Sequence, residues 1–171
     1  MSVLTSQIDN AYVGLGSNLG DRAGNLLLAV RGMMEAGLNV IRLSSIYETE
    51  PVGTFAQPAF LNMVAELRGN TLPAAEQVMA RLLRIEYALG RTRELPLGPR
   101  TIDLDLLIYK NELWSTPFLT LPHPRLHQRR FVLEPLAELC PSLAHPKLDQ
   151  TFSEMLLATH DNSEVRRWTP H

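Results

Sequence analysis

Hydrophobic and polar positions alternate most cleanly over residues 60–67 (FLNMVAEL), with Leu61, Met63, Ala65 and Leu67 on one face and Phe60 and Asn62 on the other. A period of two marks a half-buried strand. Residues 101–109 (TIDLDLLIY) show the same period, which turns Ile102, Leu104, Leu106 and Ile108 toward a core and Asp103 and Asp105 away from it. Two more strands are predicted over 10–17 (NAYVGLGS) and 40–48 (VIRLSSIYE), the first running into a glycine-rich turn. Between strands the period becomes helical. Asp21 is placed to cap a helix whose Leu26, Val30, Met33 and Met34 share a face. A second helix opens at Pro73, buries Ala75, Val78, Met79, Leu82, Ile85 and Leu89, and stops at Gly90. Shorter helices are predicted near 135–139 and 151–159. The order β-α-β-β-α-β predicts an α+β fold with a ferredoxin-like core: a mostly antiparallel sheet, helices packed against it, and extra C-terminal helices. Residues 1–10 read as a flexible N-terminal arm and 11–171 as one domain.

Composition narrows the class. A chain of 171 residues holds about one domain of typical size. A net charge of −2 gives no global attraction to nucleic acid or to an anionic membrane. The lone Cys140 excludes an internal disulfide and a thiolate zinc site. No apolar run reaches the ~18 residues of a membrane span, and the N-terminus has no secretory pattern, so a cytoplasmic protein is expected; it is taken to be a monomer. Of 16 basic residues only Lys110 and Lys147 are lysine. The arginine fork suits carboxylates and phosphates.

Asp103 and Asp105 carry the most specific chemistry. Two residues apart on a strand, their Cα atoms lie roughly 7 Å apart at ~3.3 Å per residue. Aspartate is depleted in strands, and an acidic pair on one face can hold one Mg²⁺ or bridge two. Arg91, Arg93 and Arg100 precede the pair; Arg125, Arg129 and Arg130 follow it, beside His123 and His127. Acids bracketed by arginines are what a metal–triphosphate site requires. The histidines have Pro124 between them and no third ligand at a matching interval, which argues against zinc and leaves His123 as a phosphate or ribose contact. Phe60 and Asn62 offer a ring and an amide to a flat heteroaromatic ligand. The glycine run 14–20 matches neither a dinucleotide fingerprint nor a P-loop and reads as a structural turn. An RNA-binding module on this topology would put aromatic residues, not two aspartates, on that central strand.

The segments AYVGLGSNLG (11–20), SIYETEPVG (45–53), QPAFLN (57–62), GPRTIDLDLL (98–107), LPHPR (121–125) and RRFVLEPL (129–136), with Ile85-Glu86 and Gly90-Arg91, occur in this order. Together they resemble the 6-hydroxymethyl-7,8-dihydropterin pyrophosphokinase family of folate biosynthesis. The resemblance implies transfer of pyrophosphate from ATP to the pterin's hydroxymethyl group with release of AMP. It implies two Mg²⁺ ions on Asp103 and Asp105, and catalytic roles for Arg91 and Arg100. ATP contacts fall on Arg91, Arg93, Arg100, His123 and Arg129; pterin contacts fall on Thr49, Val52, Phe60, Asn62 and Phe131. Other folate-pathway enzymes are the implied partners. The chain departs from the family pattern at Pro96 and Leu97, where many relatives carry a basic residue and a tryptophan.

Overall fold

The computed structural model describes residues 8–50, 56–91 and 99–171. It is an α+β structure with four α-helices among those residues and a mostly antiparallel sheet. The chain runs β1 (Ala11–Ser17), α1 (Arg22–Glu35), β2 (Val40–Leu43), β3 (Tyr47–Thr49), β4 (Phe60–Leu67), α2 (Ala75–Ala88) and β5 (Asp103–Tyr109). A small hairpin of β6 (Trp114–Ser115) and β7 (Thr120–Leu121) follows, then α3 (Arg130–Leu139), α4 (Phe152–Ala158) and β8 (Val165–Arg167). The main sheet has the order β5-β1-β4-β3-β8, with β2 also on β4, and every pairing is antiparallel. No helix among the described residues is long and apolar enough to cross a membrane.

The sheet has a core on each face. Leu15, Leu61, Met63 and Leu104 pack on Leu26, Met33, Val78 and Leu82 of α1 and α2. Tyr12, Val64 and Leu107 pack on Leu133 and Leu136 of α3 and Phe152 of α4. Each fully buried leucine contributes about 1.5–3 kcal/mol, and alternation along β1 and β4 divides these side chains between the two layers. Asp21 caps α1 by accepting from the Gly24 N–H at 3.0 Å. Gly90, with φ of +83°, takes the left-handed conformation that follows α2.

Several expectations change in the structure. The segment 40–48 is two strands, because Ser44 leaves the regular ladder: its hydroxyl accepts from the Val64 N–H at 2.9 Å. A register shift opposite Tyr12 and Val13 inserts an extra residue in β5, so Leu107 and Ile108 both join the α3 side rather than the face of Leu104 and Leu106. Met34 is exposed instead of sharing the buried stripe of α1. Pro73 stands before the cap of α2 rather than at its first helical position. Helix α3 begins at Arg130 and carries Pro135 inside it, where sequence placed the helix start. The hairpin β6–β7 and the edge strand β8 were not anticipated. Of the arm expected over 1–10, residues 1–7 lie outside the described residues. Its end is packed: Ile8 is buried in the α3 core, and the Asn10 amide donates to Glu66 at 2.9 Å.

Candidate active site

The face of the sheet that carries Asp103 and Asp105 is left open beside α3, and the strand register shows why. Gly16 of β1 pairs with Asn62 of β4 on one side and with Asp103 of β5 on the other; Gly14 pairs in the same way with Val64 and Asp105. Two glycines thus leave β1 without side chains of its own between the strand bearing the amide and the strand bearing the carboxylates, and the side chains of Asn62 and Leu107 lean over them. Those two strands are two strand spacings apart, about 9.6 Å. A Cβ at Gly16 would lie 2.8 Å from Asn62 Oδ1, so the amide occupies the space that glycine leaves. Glycine weakens a strand interior; here it makes room. Both glycines lie within β1, inside the strand predicted over 10–17, and the turn read over 14–20 begins only after Ser17.

One cleft is lined by Gly14, Gly16, Thr49, Phe60, Asn62, Arg100, Asp103, Asp105, Arg129 and Phe131. It brings together most of the residues singled out from sequence. Asn62, 8% exposed, is fixed by donating to Thr49 Oγ1 at 3.0 Å. The guanidinium of Arg100 lies 5.8 Å from the Phe60 ring centre, and that of Arg129 lies 5.6 Å from the Phe131 ring centre. Each aromatic wall therefore has a cation over its ring.

Asp103 is gripped from two sides. Arg91 donates to Oδ1 at 2.7 Å and Arg100 donates to Oδ2 at 2.9 Å. Arg91 also meets Glu86 Oε1 at 2.7 Å, and the same oxygen accepts the Leu104 N–H at 2.7 Å. Glu86, a buried residue of α2, thus anchors both Arg91 and the outer edge of β5. No sequence signal assigned it that task. Arg91 Nε is buried with no hydrogen-bond partner among the described residues. Asp105 has a different environment: burial, then the charges of Asp103 and Glu86, push its carboxyl up to about 7.

His123 is not among the residues lining this cleft; it lines a separate cavity with Trp114, Thr120, Leu121 and His127. Its backbone N–H donates to Leu107 O at 2.8 Å, which ties it to β5. Burial and the Arg129 charge press its pKa down to about 4. Nδ1 accepts the Arg125 N–H at 3.2 Å. The neutral ring therefore carries its proton on Nε2, which is left as a donor. Arg93, Val52, Pro96 and Leu97 lie outside the described residues.

The donor set suits a hard cation. Among the described residues no group of three or more His, Cys, Asp or Glu side chains could hold a metal alone. Two carboxylates on one strand face are nevertheless what Mg²⁺ uses when water and substrate phosphates complete its shell. A cation would also offset the repulsion from Asp103 that adds to burial in raising Asp105.

The fold is shared with solved structures of fused enzymes. A crystal structure of an HPPK-DHPS in complex with substrates superimposes with a TM-score of 0.67 at 13% identity, over 88% of this chain and 43% of that one. A Plasmodium falciparum HPPK-DHPS variant with pterin and p-hydroxybenzoate gives 0.66 at 14% identity, over 91% of this chain and 44% of that one. This chain therefore spans less than half of each fused protein. Sequence comparison is more specific. The family model described as 7,8-dihydro-6-hydroxymethylpterin-pyrophosphokinase matches residues 12–141. The 2-amino-4-hydroxy-6-hydroxymethyldihydropteridine pyrophosphokinase of Bacillus subtilis is 43% identical over 92% of this chain and 89% of its own length. Its counterpart from Aquifex aeolicus is 38% identical over 79% of this chain and 82% of its own. The chain belongs to the 7,8-dihydro-6-hydroxymethylpterin-pyrophosphokinase family.

Proposed function

We propose that the chain transfers a pyrophosphoryl group from ATP to the hydroxymethyl oxygen of 6-hydroxymethyl-7,8-dihydropterin, releasing AMP, as a Mg²⁺-dependent step of folate biosynthesis. The reading takes residues 11–171 as one pyrophosphokinase domain on a ferredoxin-like βαββαβ core, working as a monomer in the cytoplasm beside other folate-pathway enzymes. The observation that carries it is the row Asn62–Gly16–Asp103 across three adjacent strands. A flat ligand held at Asn62 lies across the glycines of β1 from a carboxylate already flanked by two arginines.

In this arrangement Phe60 and Phe131 stack on the pterin's two faces, while Asn62 and Thr49 read its polar edge. Asp103 and Asp105 would hold the two Mg²⁺ ions, which when bound would supply neutralisation of the triphosphate charge. Arg91, Arg100 and Arg129 bind the remaining phosphate oxygens as negative charge moves toward the leaving AMP. The Nε2–H of His123 donates to the nucleotide. A bond forms between the hydroxymethyl oxygen and the β-phosphorus while the bond to the α,β-bridging oxygen breaks; the hydroxymethyl proton is released. The aromatic walls and closely packed arginines keep water from competing as acceptor.

The decisive experiment supplies the protein with ATP, Mg²⁺ and reduced hydroxymethylpterin and follows AMP. Stoichiometric AMP and pterin pyrophosphate are expected, with no AMP when the pterin is omitted. ADP as product, or AMP formed equally without the pterin, would overturn the reading.

A further inference from the structure

Asn18 follows β1 directly and is 1% exposed. An asparagine in a turn ordinarily bonds the backbone two or three residues on. This side chain does not. Its Nδ2 donates to Gln57 Oε1 at 2.9 Å and to the Pro58 carbonyl at 3.1 Å, and its Oδ1 accepts the Arg100 N–H at 2.7 Å. The backbone adds a fourth link, the Asn18 N–H donating to Arg100 O at 3.1 Å. The amide orientation is fixed by its partners, since the Arg100 N–H only donates and the Pro58 carbonyl only accepts.

These partners lead to two separate chain segments that meet in the cleft. Pro58 stands two residues before Phe60, and Arg22, four residues after Asn18, donates to the intervening Ala59 carbonyl at 2.9 Å. Arg100 is the residue that grips Asp103 and lies over the Phe60 ring. One buried amide therefore sets the distance between the chain carrying an aromatic wall and the chain carrying a phosphate-binding arginine. We propose that Asn18 is a positioning residue for the transfer reaction, holding the pterin half-site and the phosphate half-site in register. The proposal rests on the function assigned above. Its logic is that of oriented bimolecular reactions, in which a displacement of about 1 Å between bound partners costs on the order of 10²-fold in rate while each partner still binds.

The test compares wild type with Asn18→Ala, Asn18→Asp and Gln57→Ala. It measures kcat, the affinity for pterin alone, the affinity for a non-hydrolysable ATP analogue with Mg²⁺, and the thermal midpoint. Asn18→Ala is expected to lower kcat by roughly 10- to 100-fold per folded molecule, with smaller changes in either single-substrate affinity. Asn18→Asp keeps the acceptor for Arg100 and loses both donors to Gln57 and Pro58, so kcat should fall in the same direction while nucleotide affinity holds. Gln57→Ala removes one link from a partly exposed partner, and a smaller kcat loss in the same direction is expected. A merely structural Asn18 gives a different pattern: a lowered midpoint with wild-type kcat in the folded fraction of every variant, and that result overturns the proposal. If Asn18→Ala does not fold, unchanged kcat in the other two variants overturns it equally. An inactive wild type sinks the assigned function instead. An active wild type with undiminished variants sinks only the role of Asn18.

Discussion

Replacing each aspartate of the pair by asparagine should abolish turnover in both variants yet shift stability in opposite directions. Asp103 is bonded on one oxygen by Arg91 and on the other by Arg100. In Asp103→Asn the new amide turns an NH₂ toward one guanidinium, which leaves Arg91 with Glu86 alone or Arg100 without its carboxylate. The expected loss is about 1–3 kcal/mol. Asp105 has the reverse balance. Burial and the neighbouring Asp103 and Glu86 raise its carboxyl from 3.8 to about 7. A carboxyl raised in the folded state binds its proton more tightly there than in the unfolded chain. Its stabilising contribution is present below pH 4 and is lost as pH rises toward 7. At about 1.36 kcal/mol per tenfold, the full difference is roughly 4 kcal/mol as an upper bound, reached above pH 7. Asp105→Asn removes that cost. The variant should therefore be more stable than wild type by about 1–4 kcal/mol at pH 8 and by less than half as much at pH 5.

Urea unfolding in the presence of EDTA, at both pH values, reads this out without interference from bound cation. Turnover with Mg²⁺ is measured in parallel, and a fall of several orders of magnitude is expected for both variants. If Asp105→Asn is destabilised at pH 8 as Asp103→Asn is, the electrostatic reasoning fails. If either variant keeps full activity at the wild-type Mg²⁺ concentration, the metal assignment fails.

Gly14→Ala tests the space over the glycines of β1: the new Cβ meets Leu107 side-chain atoms at an ordinary 3.5 Å, so folding should persist while the methyl group intrudes on the substrate path. A folded variant with wild-type pterin affinity and turnover would show that this space is not used. Phe60→Leu and Phe131→Leu keep apolar bulk and lose the ring face, so calorimetric pterin affinity should weaken by about 0.5–1.5 kcal/mol in each; unchanged affinity in both would remove these rings from the site. His145 is buried, and its Nδ1 accepts the N–H groups of Lys147 and Leu148, each at 3.1 Å. Burial and the charges of His127 and Lys147 lower its pKa from 6.5 to about 4. Its contribution of about 3 kcal/mol is complete above pH 6.5 and disappears as pH falls toward 4. Denaturant titrations should find less acid sensitivity in His145→Gln over that window, and an identical pH slope would refute the assignment.

What was legible in the sequence follows from the range of the interactions involved. A strand's period is local, so residues 60–67 declared both their conformation and the shared face of Phe60 and Asn62, and the placement of Asp103 opposite Leu104 was equally plain. The bulge in β5 was not, because Leu106, Leu107, Ile108 and Tyr109 form one apolar run in which a face reversal leaves no compositional trace. The break at Ser44 was hidden for a related reason: a serine is compatible with a strand until its hydroxyl takes the place of a ladder acceptor. The largest gaps concern residues that act across the sheet. Gly14 and Gly16 gain their meaning from Asn62 and Asp103, which lie far along the chain. Asn18 reaches Arg100 over a separation of 82 residues, and Glu86 reaches Leu104 over 18. The pattern has a physical cause. Groups that contact substrate must present unusual chemistry at a surface, and acids on a strand or an arginine cluster stand out in any sequence. Groups that set the distance between substrates are ordinary amides, carboxylates and glycines, distinguished only by what they touch once the sheet has formed.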